Sequence, residues 1–304
     1  MNTQAETPSS GVGRARLSGG SDLAARVEHA EAQLTAEATR AALRRRGGDD
    51  AGFVLPVGGG VATFADEGSP FNKIAGLGFG HVPDPVLLDE IEEAFARRGA
   101  SPQAEVASLA DPDVVHVLTA RGYRLVGFEN VLGLDLAAGP RPARVPEVEV
   151  RSSGPDEVDL WVQLVTEAGM HPDDEGVPME EFPRDVLERA ERDSAATAGL
   201  RRYMALRGGR PAGAASFRVT GGIAQLTGAG TVPAHRRHGV QTALLAARLD
   251  DATATGCDVA VVTTQPGSRS QQNAERRGFE LLYVRAILVK ERASTGWRTG
   301  TRGG

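Results

Sequence analysis

The feature that most constrains this chain is a pattern that occurs twice. A helical stretch ending at Gly99 is followed by a strand over residues 104–109, a short helix, Arg121-Gly122-Tyr123-Arg124-Leu125 and more strand. A helical stretch ending at Gly256 is followed by a strand over 258–264, a short helix, Arg277-Gly278-Phe279-Glu280-Leu281 and more strand. Gly122 and Gly278 lie about half of the 304-residue chain apart. A solenoid repeats every 20–50 residues or so, which is far shorter. The spacing is that of a duplicated domain, unless two Gly-aromatic boundaries coincide by chance. Two domains also fit the length, at roughly 100–200 residues each.

Periodicity fills in the elements. Leu23, Val27, Ala30, Leu34 and Ala38 predict a helix over 22–46, stopped by Gly47-Gly48. Residues 53–57 and 61–64 flank Gly58-Gly59-Gly60 as a hairpin. Residues 72–79 read as a strand loosened by glycines, 84–98 and 112–121 as helices, and 123–136 as a strand pair. Three prolines between 137 and 146 interrupt all periodicity and predict a linker. Beyond it come a strand at 148–151, helices at 155–169 and 180–193, and strands at 202–207, 211–220 and 223–232. A helix at 240–255, a strand at 258–264, a helix at 268–277 and a last strand or strand pair at 279–290 complete the chain. The expected division is a disordered arm at 1–20, domains at 21–136 and 147–292 around the linker, and a loose tail at 293–304.

Composition excludes several functions. A net charge of -6 argues against nucleic acid held by bulk charge. No apolar run approaches the roughly 18 residues of a membrane span, and Met1–Thr7 lacks the basic start and apolar run of a secretory leader. No membrane partner and a cytoplasmic location are expected. Cys257 is the one cysteine, so neither a disulfide framework nor a multi-cysteine metal site is expected, and no metal. Lysine occurs only at Lys73 and Lys290, which suggests a GC-rich coding genome more than a function.

The chemistry-bearing stretch is Leu226 to Leu245, LTGAGTVPAHRRHGVQTALL. A strand ends at Val232-Pro233, and a loop with Arg236, Arg237, His238 and Gly239 leads directly into a helix. Such a turn aims free backbone N–H groups at one point, at the positive end of the helix dipole. The loop is either a phosphate cradle or a helix start with two solvated arginines. It is neither a Walker A loop nor a G-x-G-x-x-G dinucleotide loop.

Arg236-Arg237-His238-Gly239-Val240-Gln241, preceded by Pro233, resembles the R/Q-x-x-G-x-G/A loop of the GNAT superfamily of N-acetyltransferases. Gln241 departs from the small residue at the last position. The strand, helix and Gly278-Phe279 ending match the superfamily's second signature. The resemblance covers about residues 146–291. It implies an α/β fold of tandem GNAT-like domains, each a mostly antiparallel mixed sheet flanked by helices with a splayed parallel strand pair. It implies acetyl-CoA as co-substrate and a small-molecule or peptide amine as acceptor, in a monomer or homodimer. Thr231, Val232, Arg236, Arg237, His238, Gly239, Val240, Gln241, Thr242 and Asn273 are the implied cofactor-binding residues. A backbone N–H near Thr231 or Val232 would polarise the thioester carbonyl.

The catalytic side chains are less fully matched. Many relatives carry a tyrosine acid where this chain has Ala274, and a glutamate base in the strand that here reads Gly228-Ala229-Gly230. Ser270 and Tyr283 are the catalytic candidates, Ser270 read equally as a cap or packing residue; His235 and His171 are further base candidates. His171, Asp173, Asp174 and Glu175 form the candidate acceptor site, a negative loop that would attract a cationic amine, or else a solvated surface loop. The first half's counterpart loop, Phe79-Gly80-His81-Val82-Pro83-Asp84-Pro85, has no arginine and reads as a degenerate, non-catalytic copy. An enzyme using another acyl-CoA and a non-catalytic acyl-CoA sensor are the rival readings.

Overall fold

The computed structural model describes residue 17 and residues 20–47, 52–138, 145–171 and 182–291. The first half holds α1 (Ser21–Arg46), β1 (Phe53–Val57), β2 (Gly60–Phe64), β3 (Ile74–Ala75), α2 (Pro85–Arg97), β4 (Gln103–Ala107), α3 (Pro112–Ala120) and β5 (Arg124–Asp135). The second holds β6 (Val148–Ser152), α4 (Val158–Gly169), α5 (Arg184–Ala195), β7 (Leu200–Arg207), β8 (Arg210–Thr220), β9 (Ile223–Thr231), α6 (Val240–Ala254), β10 (Val259–Thr264), α7 (Arg269–Glu275) and β11 (Glu280–Val289). The expected arm at 1–20, the tail at 293–304 and the middle of the linker fall almost wholly outside the described residues.

All eleven strands join one mixed sheet in the order β1-β2-β3-β4-β11-β5-β10-β9-β8-β7-β6. The last strand of each half crosses to the other half. β11 pairs antiparallel with β4, and β5 pairs antiparallel with β10. β5 and β11 also pair with each other, at the centre of the sheet. The expected strand pair over 123–136 is thus one long strand, because both of its edges find partners.

The expected strand over 72–79 contracts to Ile74–Ala75. Gly76 and Gly78 take φ of 77° and 85°, outside the β region. Gly76 also passes against α1, where a Cβ would lie 3.0 Å from Ala32 Cβ.

Helices cover both faces of the sheet. α6 packs Leu244, Leu245 and Leu249 against Leu132, Phe217, Leu226 and Ala260. α2 and α3 close the first half through Leu88, Ile91, Phe95 and Leu118. α1 packs on both halves: Ala32 and Ala36 meet Val61 of β2, and the helix also reaches across the second half's strands. Ala24, Val27 and Ala30 pack on Ile223, Val259 and Val261. Charges fix it there: Arg26 meets Asp258 at 2.6 Å, Arg45 meets Asp193 at 2.8 Å and Arg218 meets Glu37 at 2.7 Å.

Candidate functional site

The site begins where β9 and β10 part. These parallel strands pair only at Ile223–Val259, Ala224–Ala260 and Gln225–Val261. β9 then continues to Thr231 and β10 to Thr264 without each other. Three buried polar atoms around this gap lack hydrogen-bond partners: Gln225 Oε1, Thr231 Oγ1 and Thr264 Oγ1. Orphaned groups of that kind are costly unless a ligand or water meets them.

A cavity of about 460 Å³ occupies the gap. Gln241, Thr242, Ser270, Asn273 and Arg277 line its α6–α7 side, and Glu31, Leu34 and Glu191 its α1–α5 side. Its strand residues include Leu226, which packs toward α6, and Val261, which packs toward α1. The cavity therefore passes through the sheet.

The loop before α6 ends in an open helix N-terminus. Gly239 is the N-cap, at φ 77°, and no side chain caps the helix. The first helical bond runs from Ala243 N–H to Gly239 O, at 3.0 Å. The N–H groups of Val240, Gln241 and Thr242 thus have no partner within the helix. Arg237 sits at φ 64°, the only non-glycine residue with positive φ among those described. Arg237 and His238 are exposed at the rim. Arg236 instead turns inward and donates to the His171 carbonyl, joining the loop to the end of α4. This arrangement fits coenzyme A: N–H donors and arginines for a pyrophosphate, and two free strand edges for an amide-bearing arm.

Gln241, Thr242, Asn273 and Ser270 meet on the cavity wall, whereas Thr231, Val232 and residues 236–240 form the strand end and loop outside it. The Val232 N–H is bonded to Ala212 O at 3.1 Å. Alternation along β9 turns the Thr231 N–H the other way, toward the gap. Of the two, only the Thr231 N–H therefore faces the gap. A Cβ at Gly239 would meet Val145 Cγ1 at 2.9 Å, so this glycine makes room for the linker's end.

Tyr283 lies off the cavity wall. It is buried, and its hydroxyl donates to Glu28 Oε1 at 2.7 Å. Burial and the Glu28 charge push its pKa far up, and its hydroxyl is engaged away from the cavity. His171 is exposed at the end of α4, bound through Nδ1 to Glu167 O at 3.0 Å, and is also off the wall. His235 lies in the turn Pro233–His235, away from the wall as well. Asp173, Asp174 and Glu175 lie outside the described residues.

Sequence reasoning named as site residues none of those with which the first half lines the cavity, among them Glu31, Lys73 and Glu129. Lys73 lies 3.1 Å from both Glu31 and Glu105. Arg285 meets Glu28 at 2.7 Å and Glu129 at 3.6 Å. Burial would raise the Glu31 pKa, but Lys73 and Arg285 hold it down at about 2. Burial and the charge of Glu105 raise Glu129 to about 7. Lys73, one of two lysines in the chain, was the visible signal.

Residues 167–279 match the model of the Acetyltransferase (GNAT) family. No curated protein matches the sequence significantly. Among solved structures, a GCN5-related N-acetyltransferase from Kribbella flavida is 19% identical, with a TM-score of 0.60 over 84% of this chain and 96% of that one. A tandem GNAT protein from the clavulanic acid biosynthesis pathway is 15% identical, with a TM-score of 0.55 over 90% and 98%. A GCN5-related N-acetyltransferase from Sphaerobacter thermophilus is 16% identical, with a TM-score of 0.51 over 86% and 93%. At these identities the three structures speak for the fold.

Proposed function

From the premise that this chain carries a GNAT-family acetyltransferase domain within a tandem GNAT fold, we propose that it is an N-acetyltransferase acting from acetyl-CoA on a primary amine. The observation that carries this reading is the cavity through the sheet at the β9–β10 gap, with the open α6 N-terminus at one side. The second half, 147–292, would do the chemistry. The first half, 21–136, would pack against it and wall the acceptor side.

Each part of the chain then has a task. The N–H groups of Val240, Gln241 and Thr242 would hold the pyrophosphate, with Arg237 and Arg277 adding positive charge. The free edges of β9 and β10 would hold the pantetheine amides. The co-substrate supplies an activated acyl thioester. The Thr231 N–H would polarise its carbonyl and stabilise the developing negative charge. Holding amine and thioester in one enclosed cavity removes much of the entropic barrier.

Calorimetry with acetyl-CoA, followed by a thiol-release assay over a panel of amines, tests this. Binding and amine-dependent thiol release are expected. Binding without release from any amine would favour a sensor, and no binding at all would end the reading.

A further inference from the structure

β9 offers no carboxylate to accept a proton from the acceptor, yet three carboxylates line the cavity: Glu31, Glu129 and Glu191. Glu31 is paired with Lys73, and Glu129 faces Arg285. Glu191 differs from both. α5 presents Leu187, Ala190, Glu191 and Ser194 to the cavity along a single helical stripe. Among the described residues Glu191 has no hydrogen bond and no ion pair.

The remaining charged groups on the wall have partners elsewhere. Lys73 and Arg285 belong to the ionic floor described above. Arg248 on α6 donates to the Leu244 and Ser216 carbonyls, and Arg277 donates to Thr242. Burial alone raises the Glu191 pKa, to about 7. A base that titrates near the working pH transfers protons most effectively.

Resting on the acetyltransferase reading, we propose that Glu191 accepts the proton of the acceptor ammonium, and that the acceptor is a cationic amine entering the α1–α5 end of the cavity. The floor there sets four carboxylates, Glu28, Glu31, Glu105 and Glu129, against the two cations Lys73 and Arg285. That balance favours a positive guest. The ammonium gives one proton to the Glu191 carboxylate, directly or through one water. The freed nitrogen lone pair bonds to the thioester carbonyl carbon. The C–S bond breaks with its electron pair on sulfur, and sulfur takes the second nitrogen proton. Glu191 later releases its proton to solvent.

The test compares wild type with Glu191→Gln and Glu191→Asp. Acetyl-CoA affinity should be unchanged in both. With alkylamines, kcat/KM of the wild type should rise with pH through a midpoint near 7. Glu191→Gln should lower it about 100-fold or more and remove that limb, and Glu191→Asp should restore part of the rate. An aromatic amine, already neutral at pH 7, should be acetylated equally by wild type and Glu191→Gln. Independently of activity, carboxyl carbon NMR of the apo protein should show two carboxyls titrating near pH 7, Glu129 and Glu191, and Glu191→Gln should delete one of them. An active wild type whose pH profile survives Glu191→Gln would overturn the proposal alone. A wild type that releases no thiol from any amine would overturn the underlying reading and the proposal with it.

Discussion

Arg277 Nη2 donates to Thr242 Oγ1 at 2.7 Å, tying α7 to the first turn of α6. The bond sets a guanidinium beside the open helix N-terminus, on the wall of the cavity. The arginine that closes the second copy of the repeated pattern is therefore part of the candidate cradle.

Arg277→Ala should weaken acetyl-CoA binding about 5- to 20-fold, the size of one charge-assisted contact. The loss should shrink as salt rises, because Arg277 is only half-buried. Calorimetry at two ionic strengths measures this. Undiminished affinity at low salt would show that Arg277 only braces the two helices.

Gly239→Ala should be harmful through the backbone. Its φ of 77° strains any side chain, and its Cβ would press on Val145. A cost of about 1–3 kcal/mol is expected. Gly239→Glu should weaken acetyl-CoA binding no more than Gly239→Ala does, since the side chain would point at Val145. Denaturant melts and calorimetry on both variants check this. A far worse glutamate variant would mean that the loop rearranges to face the ligand.

One coenzyme A should bind per chain. In the first half's counterpart loop, the Asp84 carboxylate already accepts the Val86 N–H at 2.8 Å, and Pro85 removes another donor. That helix N-terminus is capped, and its cap is an anion. A calorimetric stoichiometry near two would show that it binds phosphate by another route.

The stability of the protein should depend on pH through Glu191. Its pKa of about 7 lies above the unfolded value, so the native state binds the proton more tightly. The stability this confers is complete below about pH 4.5 and is lost as pH rises through about 7. Glu191→Gln removes the charged form. At pH 8 the variant should be more stable than wild type, by on the order of 2 kcal/mol after discounting for water in the cavity. At pH 4.5 or below the two should match. Urea melts across that range test the sign directly.

Periodicity and turn chemistry made most elements legible, because Leu23, Val27, Ala30 and Leu34 or Gly99 and Gly256 act locally. The cradle was legible for the same reason: Arg236 to Gly239 carry their chemistry in one loop. Glu191 was not. In the stretch Arg184–Ala195 it is one charge among many, and only the placement of α1 over β9 and β10 encloses it. The strand exchange was equally hidden. β5 and β11 follow the same Arg-Gly-aromatic junction, so nothing local tells which edge each one seeks. Gly228-Ala229-Gly230 showed the absence of a carboxylate on β9, but a helix more than thirty positions earlier supplies the one at hand.

The crossing of β5 and β11 also dictates an order of events during synthesis. A ribosome delivers the first half long before the second. β4 nevertheless waits for its inner neighbour until Glu280–Val289 has been made, near the end of the chain. Until then its edge is open, a template for the wrong partner. The Arg285–Glu28 contact beneath the cavity is delayed for the same reason. The first half is therefore unfinished when its own last residue leaves the ribosome. The nascent first half must be kept from other chains until its twin's final strand arrives.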